Sequence, residues 1–72
     1  MEVRLFAYFR DNRKKVEDIP WVEGIDGYAL LDALDIAADD VSIFLVNGHR
    51  KDPSIKLNPD DMIALFPPVG GG

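Results

Sequence analysis

The feature that most constrains the fold is one short helix-forming segment set among segments that look like strands. Asp26 is a favourable helix N-cap, and three leucines at helical spacing follow it, which predicts a helix over about residues 27–35. A single helix of this length, next to several strands, favours one sheet with the helix packed on it. The chain is therefore predicted to be an α+β domain with a mixed four- to five-stranded sheet.

Two strands are predicted before the helix. Residues 2–10 alternate with period two, so that Val3, Leu5, Ala7 and Phe9 would face the helix and Phe6 would face away. Residues 15–22 are predicted to pair with this first strand as a hairpin. Pro20 cannot donate a ladder hydrogen bond, so the second strand is expected to be an edge strand or to end there.

The remaining strands are predicted after the helix. Residues 41–46 form the most strand-like run and stop at Asn47-Gly48, a strong signal for a tight turn. A short irregular strand follows, and residues 62–66 form the last strand. That strand ends at Pro67-Pro68 because neither proline has a backbone N–H.

Composition excludes several classes of function. The 72 residues contain no cysteine, which removes a thiol nucleophile or a cysteine metal site and is typical of intracellular domains. Thirteen acidic against eight basic residues give a net charge of −5, which disfavours nucleic acid and anionic membrane and is compatible with a basic partner. No apolar run approaches the roughly 20 residues that cross a bilayer. We expect a cytoplasmic protein.

The sequence offers no set of residues for catalysis or metal binding. His49 is the only histidine, and a lone histidine makes neither a triad nor a metal site. The adjacent pairs Asp39-Asp40 and Asp60-Asp61 are interpreted as turn and solubility residues rather than as paired acid–base carboxylates. We therefore expect no metal, no bound cofactor and no self-contained enzyme.

The last six residues are predicted to form a flexible tail, residues 67–72, beyond a domain of residues 1–66. Half of the six glycines in the chain are Gly70, Gly71 and Gly72, which have no side chains to pack and are costly to order. Such a bare segment suits a narrow channel in a partner. Its terminal carboxylate is ionised at neutral pH and is a poor electrophile, so an enzyme must activate it before a nucleophile can attack. An inert, frayed terminus is the alternative interpretation.

Three segments carry a resemblance to a known family. Residues 63–72, Ile-Ala-Leu-Phe-Pro-Pro-Val-Gly-Gly-Gly, resemble the C-terminus of the ubiquitin-like sulfur carriers, in particular the small subunit of molybdopterin synthase. Residues 3–11 resemble the first strand of that family, and residues 46–48 resemble its central turn. The resemblance implies a β-grasp fold, in which the first and last strands are neighbours. Phe6 and Phe66 would then form an apolar patch on the face away from the helix.

The resemblance also implies a chemical role for the tail. An E1-like adenylyltransferase would use ATP to adenylate Gly72, next to Gly71, and a persulfide sulfur would then convert it to a thiocarboxylate. The large catalytic subunit of molybdopterin synthase would receive this sulfur for molybdopterin. The residues expected to contact these partners are Phe6, Phe66, Arg10, Pro67, Pro68, Val69 and Gly70.

Other acceptors and other roles remain open at this point. The same activated tail could supply sulfur for the thiamine thiazole or for transfer-RNA thiolation, or could be attached to lysines as a protein modifier. A role of another class is a β-grasp interaction module whose tail is inert.

Overall fold

The computed structural model describes residues 1–10 and 15–68, apart from the side chains of Tyr8 and Arg10. Five strands form one sheet in the order β2-β1-β5-β3-β4. β1 and β5 are parallel and the other neighbours are antiparallel, so the predicted mixed sheet is confirmed. The elements are β1 (Glu2–Leu5), a 3-10 turn (Ala7–Arg10), β2 (Val16–Asp18), α1 (Gly27–Ala33), a second 3-10 turn (Ala38–Asp40), β3 (Ile43–Val46), β4 (His49–Arg50) and β5 (Met62–Phe66).

The first hairpin is confirmed, but its first strand is shorter than predicted. β2 pairs antiparallel with β1 as an edge strand and ends before Pro20. β1 ends at Leu5 because Ala7 adopts a left-handed backbone conformation, with φ of 54°, which breaks the alternation. Ala7 is therefore exposed rather than directed at the helix, whereas Phe9 still reaches the core from the 3-10 turn.

The helix begins where the sequence predicts and ends two residues earlier. Asp26 caps α1, since its side chain accepts a hydrogen bond from Ala29 N at 2.9 Å. Leu30 and Leu31 are buried against the sheet. Asp35 has φ of 58°, a left-handed conformation that commonly follows a helix, so the predicted end at residue 35 falls just outside α1.

The core lies between α1 and one face of the sheet. Its centre consists of alternate residues of the two parallel strands, Val3 and Leu5 in β1 and Ile63 and Leu65 in β5, all without solvent exposure. Phe66, two positions from the half-buried Ala64 in β5, therefore lies on the face away from the helix, as predicted. The buried apolar set is Val3, Leu5, Phe9, Ile25, Leu30, Leu31, Leu34, Ile36, Phe44, Val46, Leu57, Ile63 and Leu65.

The predicted tight turn between β3 and β4 is confirmed, and its asparagine side chain also makes hydrogen bonds that were not predicted. Asn47 and Gly48 both have positive φ, 53° and 84°, as a two-residue hairpin turn of type I′ requires. The Asn47 side chain donates to Asp61 Oδ1 at 2.8 Å and accepts from Met62 N at 2.9 Å. The turn is therefore tied to the start of β5.

Asp61 corrects the interpretation of the second acidic pair. Asp60 is exposed, but Asp61 is only 9% exposed, and its carboxylate also accepts a hydrogen bond from Asn58 N at 2.7 Å. The reason is that the turn before β5 directs the Asp61 side chain inward, where its carboxylate accepts two hydrogen bonds. The interpretation of Asp61 as a solubility residue is therefore wrong.

Candidate docking face and tail exit

The sheet face that α1 does not cover is apolar. We call this the open face and define it by six half-buried residues outside the core cluster: Phe6, Ile43, Leu45, Met62, Ala64 and Phe66. In β3 and β5 these residues alternate with buried core residues, because successive side chains of a strand point to opposite faces. An apolar sheet face of this kind is typical of an interaction surface.

Two stacked aromatic rings lie at one end of the open face. The ring centroids of Phe6 and Phe66 are 4.3 Å apart and their planes differ by 8°. The parallel register, which pairs Leu5 with Leu65, and the hydrogen bond from Phe6 N to Leu65 O at 3.2 Å place the two rings side by side. The predicted neighbouring positions of Phe6 and Phe66 are confirmed, and such a pair contributes about 0.5–1.5 kcal/mol beyond its burial.

The chain leaves the sheet next to this aromatic pair. The carbonyl of Phe66 accepts a hydrogen bond from Ser42 N at 2.8 Å, which fixes the end of β5 to the neighbouring chain segment. Pro67 is buried and Pro68 is exposed, so the chain reaches the surface there. The predicted tail contacts Val69 and Gly70, and the predicted reactive residues Gly71 and Gly72, lie outside the described residues.

Sequence reasoning misplaced one site residue and missed two others. Arg10 does not close a strand, because its backbone belongs to the 3-10 turn; its side chain lies outside the described part of the chain. Ile43 and Leu45 contribute to the open face and were not predicted. The run around them is apolar at every position, so period-two alternation could not separate its two faces.

In residues 1–10 and 15–68, no three histidine, cysteine or carboxylate residues come together as a candidate metal site, and no helix is long and apolar enough to span a membrane. His49 is exposed in β4. Hydrogen bonds from the hydroxyl and the backbone N–H of Ser54 lower the pKa of Asp52, beyond β4, from its ordinary value.

Comparison with known proteins agrees with this geometry. The sequence matches the ThiS family over residues 3–72, which includes the tail. The crystal structure of SAMP1 from Haloferax volcanii is similar, with a TM-score of 0.79 and 25% sequence identity over 99% of this chain and 97% of that chain. No curated protein matches significantly. The similarity establishes the β-grasp, ubiquitin-like fold that the sequence predicts.

Proposed function

The chain belongs to the ThiS family of ubiquitin-like sulfur carriers, and from this premise we propose that it carries sulfur for molybdopterin synthesis as a thiocarboxylate on Gly72. The fold of such a small carrier is not itself a catalytic fold. In the proposed role it is the small subunit of a molybdopterin synthase, and the chemistry is done by its partners in the cytoplasm, where ATP is available.

The proposed reaction sequence follows from the weak electrophilicity of a carboxylate. The Gly72 carboxylate attacks the α-phosphorus of ATP in the E1-like enzyme, which forms an acyl-adenylate and releases pyrophosphate. A persulfide sulfur then attacks the Gly72 carbonyl carbon and AMP leaves; reductive cleavage of the S–S bond by a thiol gives the thiocarboxylate. ATP is thus a substrate of the partner enzyme, and the chain needs no cofactor of its own.

One observation supports this role more than any other: the stacked Phe6–Phe66 pair lies where β5 ends and the tail begins. A partner that covers the pair can receive the tail at the same time. Four residues beyond Pro68 reach about 14 Å when extended, far enough to enter a channel in that partner. Glycine at three of these four positions lets the channel walls approach the backbone.

The choice of molybdopterin as the acceptor rests on the segment between the sheet and the glycines. Phe66, Pro67, Pro68 and Val69 resemble the corresponding segment in the small subunit of molybdopterin synthase. An adenylated tail is chemically indifferent to its acceptor, so thiazole, transfer RNA and protein lysines are outcomes that the experiment must separate.

The test is complementation of a host strain that lacks the chain. Wild-type protein should restore molybdenum- or tungsten-enzyme activity, whereas deletion of Gly72, or one added residue after it, should abolish this activity without changing the unfolding curve. Restored thiamine prototrophy or transfer-RNA thiolation instead would assign another acceptor. A ladder of larger species on immunoblots would indicate a protein modifier. Full activity of the variant without Gly72 would leave only the inert interaction module.

A further inference from the structure

One row of paired residues across the open face contains two arginines with apolar residues between them. Directly paired residues of neighbouring strands lie on the same face of a sheet. The observed register therefore places one row of five residues across all five strands, next to the aromatic pair: Val16, Arg4, Ala64, Leu45 and Arg50. The row has an arginine towards each edge and apolar side chains between them.

The two arginines differ in their electrostatic state. Arg4 Nε lies 2.6 Å from Glu2 Oε2, so its charge is already paired, in a contact that is about half exposed. Arg50 is exposed on the two-residue edge strand β4 and makes no ion pair with any other described residue. Three strand spacings separate the two positions, about 14 Å, which is within the span of one docking surface.

No acidic residue belongs to the row of Arg50 or to the paired residues Ile43 and Phe66, which lie nearer the tail. Glu2 and Asp18 lie on this face as well, opposite each other in the strand register. They belong to the row of Met62, which is one row further from the aromatic rings. Further acidic residues lie in and after α1, such as Asp32 and Asp40, and Asp52 follows β4 two residues after Arg50, where Ser54 donates to its carboxylate. Because Glu2 pairs with Arg4, the charge of this row that no other described residue compensates is the positive charge of Arg50, although the whole chain carries −5.

We propose that Arg50 orients the E1-like enzyme on the open face, by pairing with a carboxylate at the border of an apolar docking surface on that enzyme. The inference rests on the proposed function, because it concerns the enzyme that activates the tail. It also reverses the expectation from net charge: the docking surface of the partner is acidic beside its apolar centre, not basic. Arg50 makes no ion pair with residues 1–10 or 15–68 and is available for such a contact, whereas Arg4 is paired with Glu2.

The test compares Arg50→Glu with Lys51→Glu, an equal change of charge at the next residue. Lys51 is also exposed and unpaired among the described residues, and its N–H donates to Phe44 O at 3.0 Å, which places it beside a core residue of β3 rather than on the open face. The measurement is ATP–pyrophosphate exchange by the host E1-like enzyme as a function of carrier concentration. Arg50→Glu should raise the half-saturating concentration at least about tenfold, as loss of a desolvated charge pair does, with the maximal rate unchanged. Lys51→Glu should change it less than about twofold.

Ionic strength provides a second readout that a structural defect would not move. Added salt should raise the half-saturating concentration of the wild type, because it screens an attraction. It should lower the half-saturating concentration of Arg50→Glu, because it screens a repulsion in the variant. Arg50→Gln, which removes the charge without adding one, should lie between them and serves as the comparison if Arg50→Glu unfolds.

Two results would overturn the inference. Equal saturation curves for Arg50→Glu and Lys51→Glu would show that Arg50 does not contact the enzyme, while the proposed function would stand. No exchange that depends on the wild-type carrier, with an active enzyme, would instead contradict the proposed function itself.

Discussion

Single residues decide how the turns of this small sheet are fixed. The carboxylate of Asp61 accepts hydrogen bonds from Asn58 N and from the Asn47 side chain, so one buried group joins the turn before β5 to the turn after β3. The neighbouring Asp60 is exposed. In the sequence the two aspartates look equivalent, because burial is set by the direction of the turn and not by residue type.

We predict that Asp61→Ala lowers the free energy of unfolding by about 1–3 kcal/mol, since two donors lose their acceptor. Asp60→Ala is the matched control and should change it by less than about 0.5 kcal/mol. Urea unfolding followed by circular dichroism measures both. Equal effects of the two substitutions would show that the buried carboxylate does not stabilise the turns.

At the scale of elements, α1 lies very close to the loop after β4. Backbone N–H groups of Gly27 and Tyr28 donate to Ile55 O and Pro53 O at 3.2 and 3.1 Å. A Cβ added at Gly27 would meet the Pro53 carbonyl oxygen and would lie 2.8 Å from Phe44 Cζ. The first residue of the helix is therefore glycine because the loop and the β3 core leave no space there.

Gly27→Ala tests this contact, because close packing predicts that the substitution lowers the stability of the fold and helix propensity predicts that it raises it. Helix propensity alone would favour alanine by up to about 1 kcal/mol, whereas the clash should destabilise the fold by about 1–3 kcal/mol. Thermal unfolding should therefore show a lower midpoint. Ala29→Gly, on the exposed side of α1, reports the propensity alone, at about 0.5–1 kcal/mol. An unchanged or raised midpoint for Gly27→Ala would contradict the close packing.

The aromatic pair leads to a second prediction at this scale. Phe66→Ala removes one ring from the open face, and we expect it to raise the half-saturating concentration in E1-dependent exchange about fivefold or more, as loss of an aromatic side chain buried by a partner does. Tyr28→Ala removes an aromatic ring that is 48% exposed on α1 and should leave saturation unchanged. Saturation that is insensitive to Phe66→Ala, or equally sensitive to both changes, would exclude the open face as the docking surface.

The elements also show what could be predicted from sequence. The last strand was predicted at its observed bounds, because apolar residues alternate between two faces and Pro67 stops the strand. The first strand was predicted too long, since the pattern through Phe9 continues although Ala7 turns the backbone. Alternation describes side chains and carries no signal for a left-handed alanine, so the break could be found only in the structure.

At the scale of the whole molecule, the site combines features that different parts of the sequence encode. Helix α1 covers one face of the sheet, which leaves Phe6, Phe66 and Arg50 on or beside the other. The aromatic pair could be predicted because the parallel arrangement of the first and last strands follows from the family resemblance. The position of Arg50 could not, because the register of β4 depends on a two-residue turn and a strand of only two residues.

The proposed function depends most directly on the chemistry of the tail. The decisive measurement is the intact mass of the untagged protein after incubation with ATP, its E1-like enzyme and a persulfide sulfur donor. We predict the mass difference of one sulfur replacing one oxygen, localised by fragmentation to Gly72. An unchanged mass, with an enzyme shown to be active on another carrier, would contradict the claim that this chain carries sulfur on its last residue.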